Sequence, residues 1–236
     1  MGGDLRNECE NTRVSRHTMK SLLPLLFLLI GTKALLAQWD IQFSNDSDTA
    51  FWYRYKNDYI KKFKLGFIEN DTNNYSFRLW SFGLVIKVTD KGGGEIIRFV
   101  EASPSGKHKK IFVKRYPISL TDVFQVRRLI DSLQIEMLPS DKNIKGWQQG
   151  FDGITYFTEY KKDRQYSFKN YWTPTSQDTL KEAVRFQNFV TGLDKILGLR
   201  ANSNKFQDDI PFDSWTYPGS AKSVLRIKPR PKKNGG

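Results

Sequence analysis

Along the chain, the apolar positions change their period several times, and each change marks an element. Leu22 to Ile30 is an unbroken apolar run, flanked by Met19-Lys20 before it and Gly31-Thr32-Lys33 after it. From Asp48 to Phe63 the aromatics at 51, 52, 55, 59 and 63 recur at near-helical spacing, which predicts a helix. The polar cluster Asn70-Asp71-Thr72-Asn73-Asn74 is a loop by its turn chemistry. Three strand-like runs follow: Tyr75 to Thr89, Glu95 to Ala102 and Lys109 to Tyr116. Asp90 to Gly94 and Ser103 to Gly106 supply tight turns between them, so the three runs predict an antiparallel meander.

The period then switches to that of a helix over Ser119 to Leu133. Thr121 or Ser119 can cap it, Asp122 suits its first turn, and Val123, Val126, Leu129, Ile130 and Leu133 mark its apolar face. Ile154 to Tyr160 and Gln165 to Tyr171 flank the charged tip Lys161-Lys162-Asp163-Arg164 and read as a hairpin. A second helix is predicted over Ser176 to Leu197, stopped at Gly198. Strands grouped before helices, without strict alternation, define the fold class. It is α+β: an antiparallel sheet of about five strands with two main helices packed on one face.

The expected organisation has four parts. Residues 1–37 comprise a pre-sequence and a secretory signal, with translation expected to start at Met19. Residues 38–200 form a single α+β domain, 201–221 an extended arm, and 222–236 a disordered basic tail. The signal reading rests on order: a basic start, a short apolar stretch, then small residues near a cleavage point at Ala37. Lys33 and Asp40 cut the run below the roughly 20 apolar residues that a spanning helix needs, so no transmembrane helix is expected in the mature chain. The chain is expected to be secreted or periplasmic.

Composition narrows the chemistry. The sequence of 236 residues contains one cysteine and two histidines, too few for a zinc finger, a Cys-rich redox site or a disulfide-stapled scaffold. Cys9 and His17 lie before the expected cleavage point, leaving His108 as the histidine of the exported chain. Its neighbours Lys107, Lys109 and Lys110 lower its affinity for a proton or a cation. No Gly-x-Ser-x-Gly elbow is present for it to serve. No cofactor and no metal site are expected. The formal net charge is +13, and six of the basic residues (Lys222, Arg226, Lys228, Arg230, Lys232, Lys233) fall in the tail. Export directs that charge toward anionic envelope components, and no nucleic acid partner is expected.

The densest motif begins at Gly146-Trp147 and continues through Gly150-Phe151-Asp152-Gly153, Tyr156 and Glu159 to the exit Tyr171-Trp172-Thr173-Pro174. A Gly-aromatic-Asp-Gly…Glu hairpin with a Tyr/Trp-Pro exit resembles a group of uncharacterised secreted bacterial proteins, over residues 146–198 only. The resemblance implies export and a bacterial source but no activity. Physically, Asp152-Gly153 is a turn pair. As a catalytic pair, Asp152 and Glu159 would lie more than roughly 20 Å apart in an extended strand, beyond glycosidase spacing.

Two readings follow. The first is an exported, non-enzymatic binding module whose unknown partner is a protein or an anionic envelope component. Its candidate binding residues are Trp147, Asp152, Tyr156, Glu159, Tyr171 and Trp172, with the six basic tail residues meeting an anionic surface. The alternative is a carboxylate-dependent hydrolase acting on envelope polymer.

Overall fold

The computed structural model describes residues 42–43, 51–102, 109–150, 152–218 and 223–226. The run expected as one strand over 75–89 is a hairpin: β2 (Tyr75–Ser81) turns at Phe82-Gly83 into β3 (Leu84–Thr89). Gly83 has φ +61°, and a Cβ there would approach the Phe99 carbonyl oxygen to 2.6 Å, so the turn demands glycine. β4 (Gly94–Ala102) and β5 (Lys110–Pro117) complete the meander. β6 (Thr155–Lys162) and β7 (Gln165–Trp172) form the predicted hairpin, and β6 pairs antiparallel with β2.

Among the described residues, nine strands replace the five expected, because three short ones carry too little pattern to be seen. These are β1 (Gln42–Phe43), β8 (Ser214–Thr216) and β9 (Ser223–Leu225). The order is β1-β7-β6-β2-β3-β4-β8-β9, with β5 also on β4. Pairing is antiparallel except at β1, which runs parallel to β7. The described residues from 42 onward belong to one compact unit.

Two helices follow the predicted periods. In α2 (Leu120–Ser132) the Ser119 hydroxyl accepts from the Asp122 backbone N–H at 3.1 Å and donates to the Asp122 carboxylate at 2.8 Å, so Ser119 is the cap. α3 (Lys181–Leu197) starts five residues later than expected, after a 3₁₀ turn at Pro174–Ser176, and ends at left-handed Gly198. The expected extended arm over 201–221 is helical through Asp209 and extended at Ser214–Thr216. Gly198 redirects the chain into α4 (Leu199–Asp209), whose Phe206 is buried with Val100, Ala102, Ile210 and Trp215.

Alternation along the strands sends side chains to two faces. On one, Val126 and Ile130 of α2 and Phe186, Phe189 and Leu193 of α3 share an apolar cluster with Phe77, Leu79, Ile86, Val88 and Tyr171. The opposite face is covered as well. The helix expected over 48–63 is α1 (Phe51–Phe63), and its Tyr59, Ile60 and Phe63 pack with Trp80, Val85, Ile97, Phe99 and Phe168. Among the described residues, no helix is long and apolar enough to cross a membrane.

Phe186 is fully buried and stacks on Tyr171 at 4.1 Å between ring centroids, so Phe186→Ala opens a cavity under the helical layer. Urea unfolding should show a loss of about 3–5 kcal/mol. Val184→Ala, on the exposed side of the same helix, should cost less than about 0.5 kcal/mol.

Candidate functional site

Glu159, expected on a binding face, is instead enclosed. It points from β6 to the α1 face and is fully buried. Its Oε1 accepts from Lys56 Nζ of α1 at 2.8 Å and from the Tyr166 hydroxyl at 3.0 Å. Its Oε2 accepts from Arg78 Nη1 at 3.1 Å and from the Trp80 indole N–H at 2.6 Å. Arg78 also donates to the Gly66 carbonyl at 3.1 Å, and the Lys56 ammonium sits 4.3 Å from the Tyr53 ring centroid. Burial alone would push the Glu159 carboxyl up, but Lys56 and Arg78 outweigh it and hold the pKa at about 2. A carboxylate that is ionised at neutral pH and already has four donors has no proton to give there and is closed off from solvent.

The rest of the expected hairpin face is divided by the sheet. Tyr171 is fully buried, stacked on Phe186. Tyr156 is half-buried against Phe186 on the same side. Trp147 also joins that side, and its indole N–H donates to the Trp172 carbonyl at 2.9 Å. Trp172 alternates to the other face of β7, where Gly150 and Gly153 press on its ring so closely that a Cβ on Gly150 would come within 2.5 Å. The two tryptophans therefore form a clasp for the 146–153 loop, not one open aromatic platform. Asp152 is exposed beside this clasp.

Asp141 closes the clasp from beneath. Its carboxylate accepts from the Trp172 backbone N–H at 2.7 Å and from the Asn170 amide at 2.9 Å, while burial raises its pKa against those bonds. Thr173, at φ +41°, is held by Ile154, whose carbonyl accepts its N–H at 2.8 Å and whose N–H donates to its hydroxyl at 3.0 Å. These contacts give the motif a structural role.

Of the tail residues, Lys222, Lys228, Arg230, Lys232 and Lys233 lie outside the described residues, as does His108. Arg226 is tied down, although a disordered tail was expected from 222. Its guanidinium lies 5.4 Å from the Trp215 ring centroid and donates to the Gln207 carbonyl at 2.7 Å, next to β9.

A basic surface arises elsewhere. The C-terminal end of α1 carries exposed Lys61, Lys62 and Lys64, and β5, unpaired on its outer side among the described residues, carries exposed Lys109, Lys110 and Arg115. Arg115 joins the two segments by donating to the Phe63 carbonyl at 2.8 Å. Glu101 lies 3.8 Å from Lys62 and 3.3 Å from Lys109, and Glu95 pairs with Arg115 at 2.7 Å. Three of these six cations thus pair with two carboxylates, while Lys61, Lys64 and Lys110 have no ion-pair partner among the described residues. Near this edge, half-buried Lys87 of β3 has its pKa lowered by burial and by Arg78. None of these positions was singled out from sequence, although basic residues in phase with apolar strand positions (Arg78, Lys87) are a readable signal of charge on a covered face.

Among the described residues no group of three or more His, Cys, Asp or Glu could hold a metal ion. No family model, curated protein or solved structure matches the chain.

Glu159→Gln leaves the buried Arg78 without a carboxylate and Lys56 with only Glu69, at 4.0 Å, and should cost about 3–5 kcal/mol in urea unfolding. The sign of the pH dependence follows from a folded pKa of about 2 against an ordinary 4.5. The carboxylate's stabilisation is complete above pH 4.5 and is lost as pH falls toward 2. Acid titration of stability should therefore be steeper in the native protein than in the Gln variant within that window.

Proposed function

We propose that this chain is an exported, non-enzymatic binding module that engages an anionic component of the cell envelope along the edge formed by β5 and the end of α1. One observation carries the reading: Arg115 brings the lysines of two segments nearly fifty residues apart onto one edge. Exposed cations gain little from isolated pairing, but several on one surface attract a polyanion cooperatively, weakening as salt screens them. The basic residues beyond 226 extend the charge available to the same partner. For the hydrolase reading, Glu159 is the wrong kind of carboxylate, since its environment holds it ionised and shut away from substrate. Export and a bacterial envelope remain part of the proposal through the apolar run at 22–30 and the 146–198 resemblance.

The test is co-sedimentation of the protein with vesicles rich in phosphatidylglycerol, at low and high salt. At about 1 kcal/mol per lysine near an anionic surface, the combined variant Lys61→Glu, Lys64→Glu, Lys110→Glu should weaken retention by about a hundredfold. Removing residues 227–236 should cause a smaller loss. Undiminished retention of the triple variant would sink the edge reading, and salt-independent retention would sink the electrostatic one.

A further inference from the structure

One row of side chains crosses the α1 face of the sheet at a single level. Pairing places Glu159 beside Arg78, Arg78 beside Lys87 and Lys87 beside Glu95, on four successive strands. Arg78 is matched by Glu159 at 3.1 Å, and Glu95 is turned to Arg115 at 2.7 Å. Asp71, the further carboxylate of this region, faces Lys161 at 3.7 Å and accepts the Ser76 hydroxyl at 2.6 Å. Lys87 alone in the row has no ion-pair partner among the described residues.

Lys87 is also half-buried at an open cleft, which Glu95 of the same row shares. Lys87 lines this cleft of about 240 Å³ together with Asn73, Thr89, Gly93, Gly94 and Glu95. Gly93-Gly94 brings bare backbone to the cleft wall, and Asn73 adds a side-chain amide. Burial and the neighbouring Arg78 charge lower the Lys87 pKa, and Asp71, Glu95 and Glu159 offset them only in part, so a further anion at the cleft would relieve a cost. The lining offers a cation, a side-chain amide and the Thr89 hydroxyl beside the Glu95 carboxylate, which Arg115 holds at 2.7 Å; a cation with an amide donor suits a compact oxyanion.

We infer that the cleft of Asn73, Lys87 and Gly93-Gly94 is a binding site for a small oxyanion group, a phosphate or a carboxylate, with the Lys87 ammonium as its counter-charge. The inference does not rest on the edge reading, since it concerns one half-buried cation at a cleft and not a surface field.

The experiment follows the midpoint of thermal unfolding while inorganic phosphate replaces chloride at constant ionic strength. A saturable rise is expected in the native protein and in Lys162→Met, an exposed control, but not in Lys87→Met. A rise that does not saturate, or one of equal size in Lys87→Met, overturns the proposal. Should Lys87→Met fail to fold, Asn73→Asp places a negative charge at the cleft and should weaken phosphate binding at least tenfold; unchanged affinity overturns it. Acetate in a parallel series distinguishes the sources: a Lys87-dependent response to both anions points to a carboxylate-compatible site, and a response to phosphate alone points to a phosphate. The Lys61, Lys64, Lys110 variant should keep its phosphate response whatever happens to its vesicle binding, so the two proposals fail separately.

Discussion

The carboxylate of Glu159 is the constraint to which the α1 side of the molecule is fitted. Apolar contacts between a helix and a sheet tolerate sliding, because one methyl group substitutes for another at little cost. A buried charge does not tolerate it. Lys56 comes from α1, Arg78 and Trp80 from β2, and Tyr166 from β7, and all four donors reach two oxygens. Shifting α1 by one residue would take the Lys56 ammonium from its partner and leave both charges without water. The network thus selects the register of a helix whose aromatic residues would otherwise allow several.

The two faces of the sheet are consequently built on different physics. Beneath α2 and α3 the cluster is mainly apolar, with Phe189 edge-on to Phe186 and Phe186 stacked on Tyr171, and its buried cations Lys169 and Arg98 are held by backbone carbonyls of Glu136, Leu138 and Leu199. Beneath α1 the apolar cluster shares its space with a row in which two neighbouring cations, Arg78 and Lys87, lie between two carboxylates, and the cleft at Lys87 opens along that row. The tryptophan-rich hairpin, which looks functional as a string of letters, belongs to the first kind of physics: its loop is fastened by Trp147, Asp141 and Trp172.

How much of this was legible depends on the range of the interactions concerned. α2, α3 and the β6–β7 hairpin were readable because period, Ser119 and Gly198 are local signals. The β2–β3 turn was hidden inside an apolar run, where only Gly83 marks it. α4 has few apolar residues, and Phe206 earns its burial from partners on β4 and β8. The candidate site was least legible of all. Glu159 was noticed, but Lys56 and Arg78 lie 103 and 81 residues away in the chain, so the role of its charge follows from pairing that no local pattern encodes.

The borders of the sheet are unequal. Along β7, β1 pairs at residues 165 and 166, and beyond it Ser140 and Asp141 take the backbone groups of Asn170 and Trp172. β9 offers only three residues. The long β5 border is therefore the place where another extended chain could add, and its lysines discourage an identical chain from doing so. The lysines of β5 thus guard the longest open border among the described residues against edge-to-edge association of like chains.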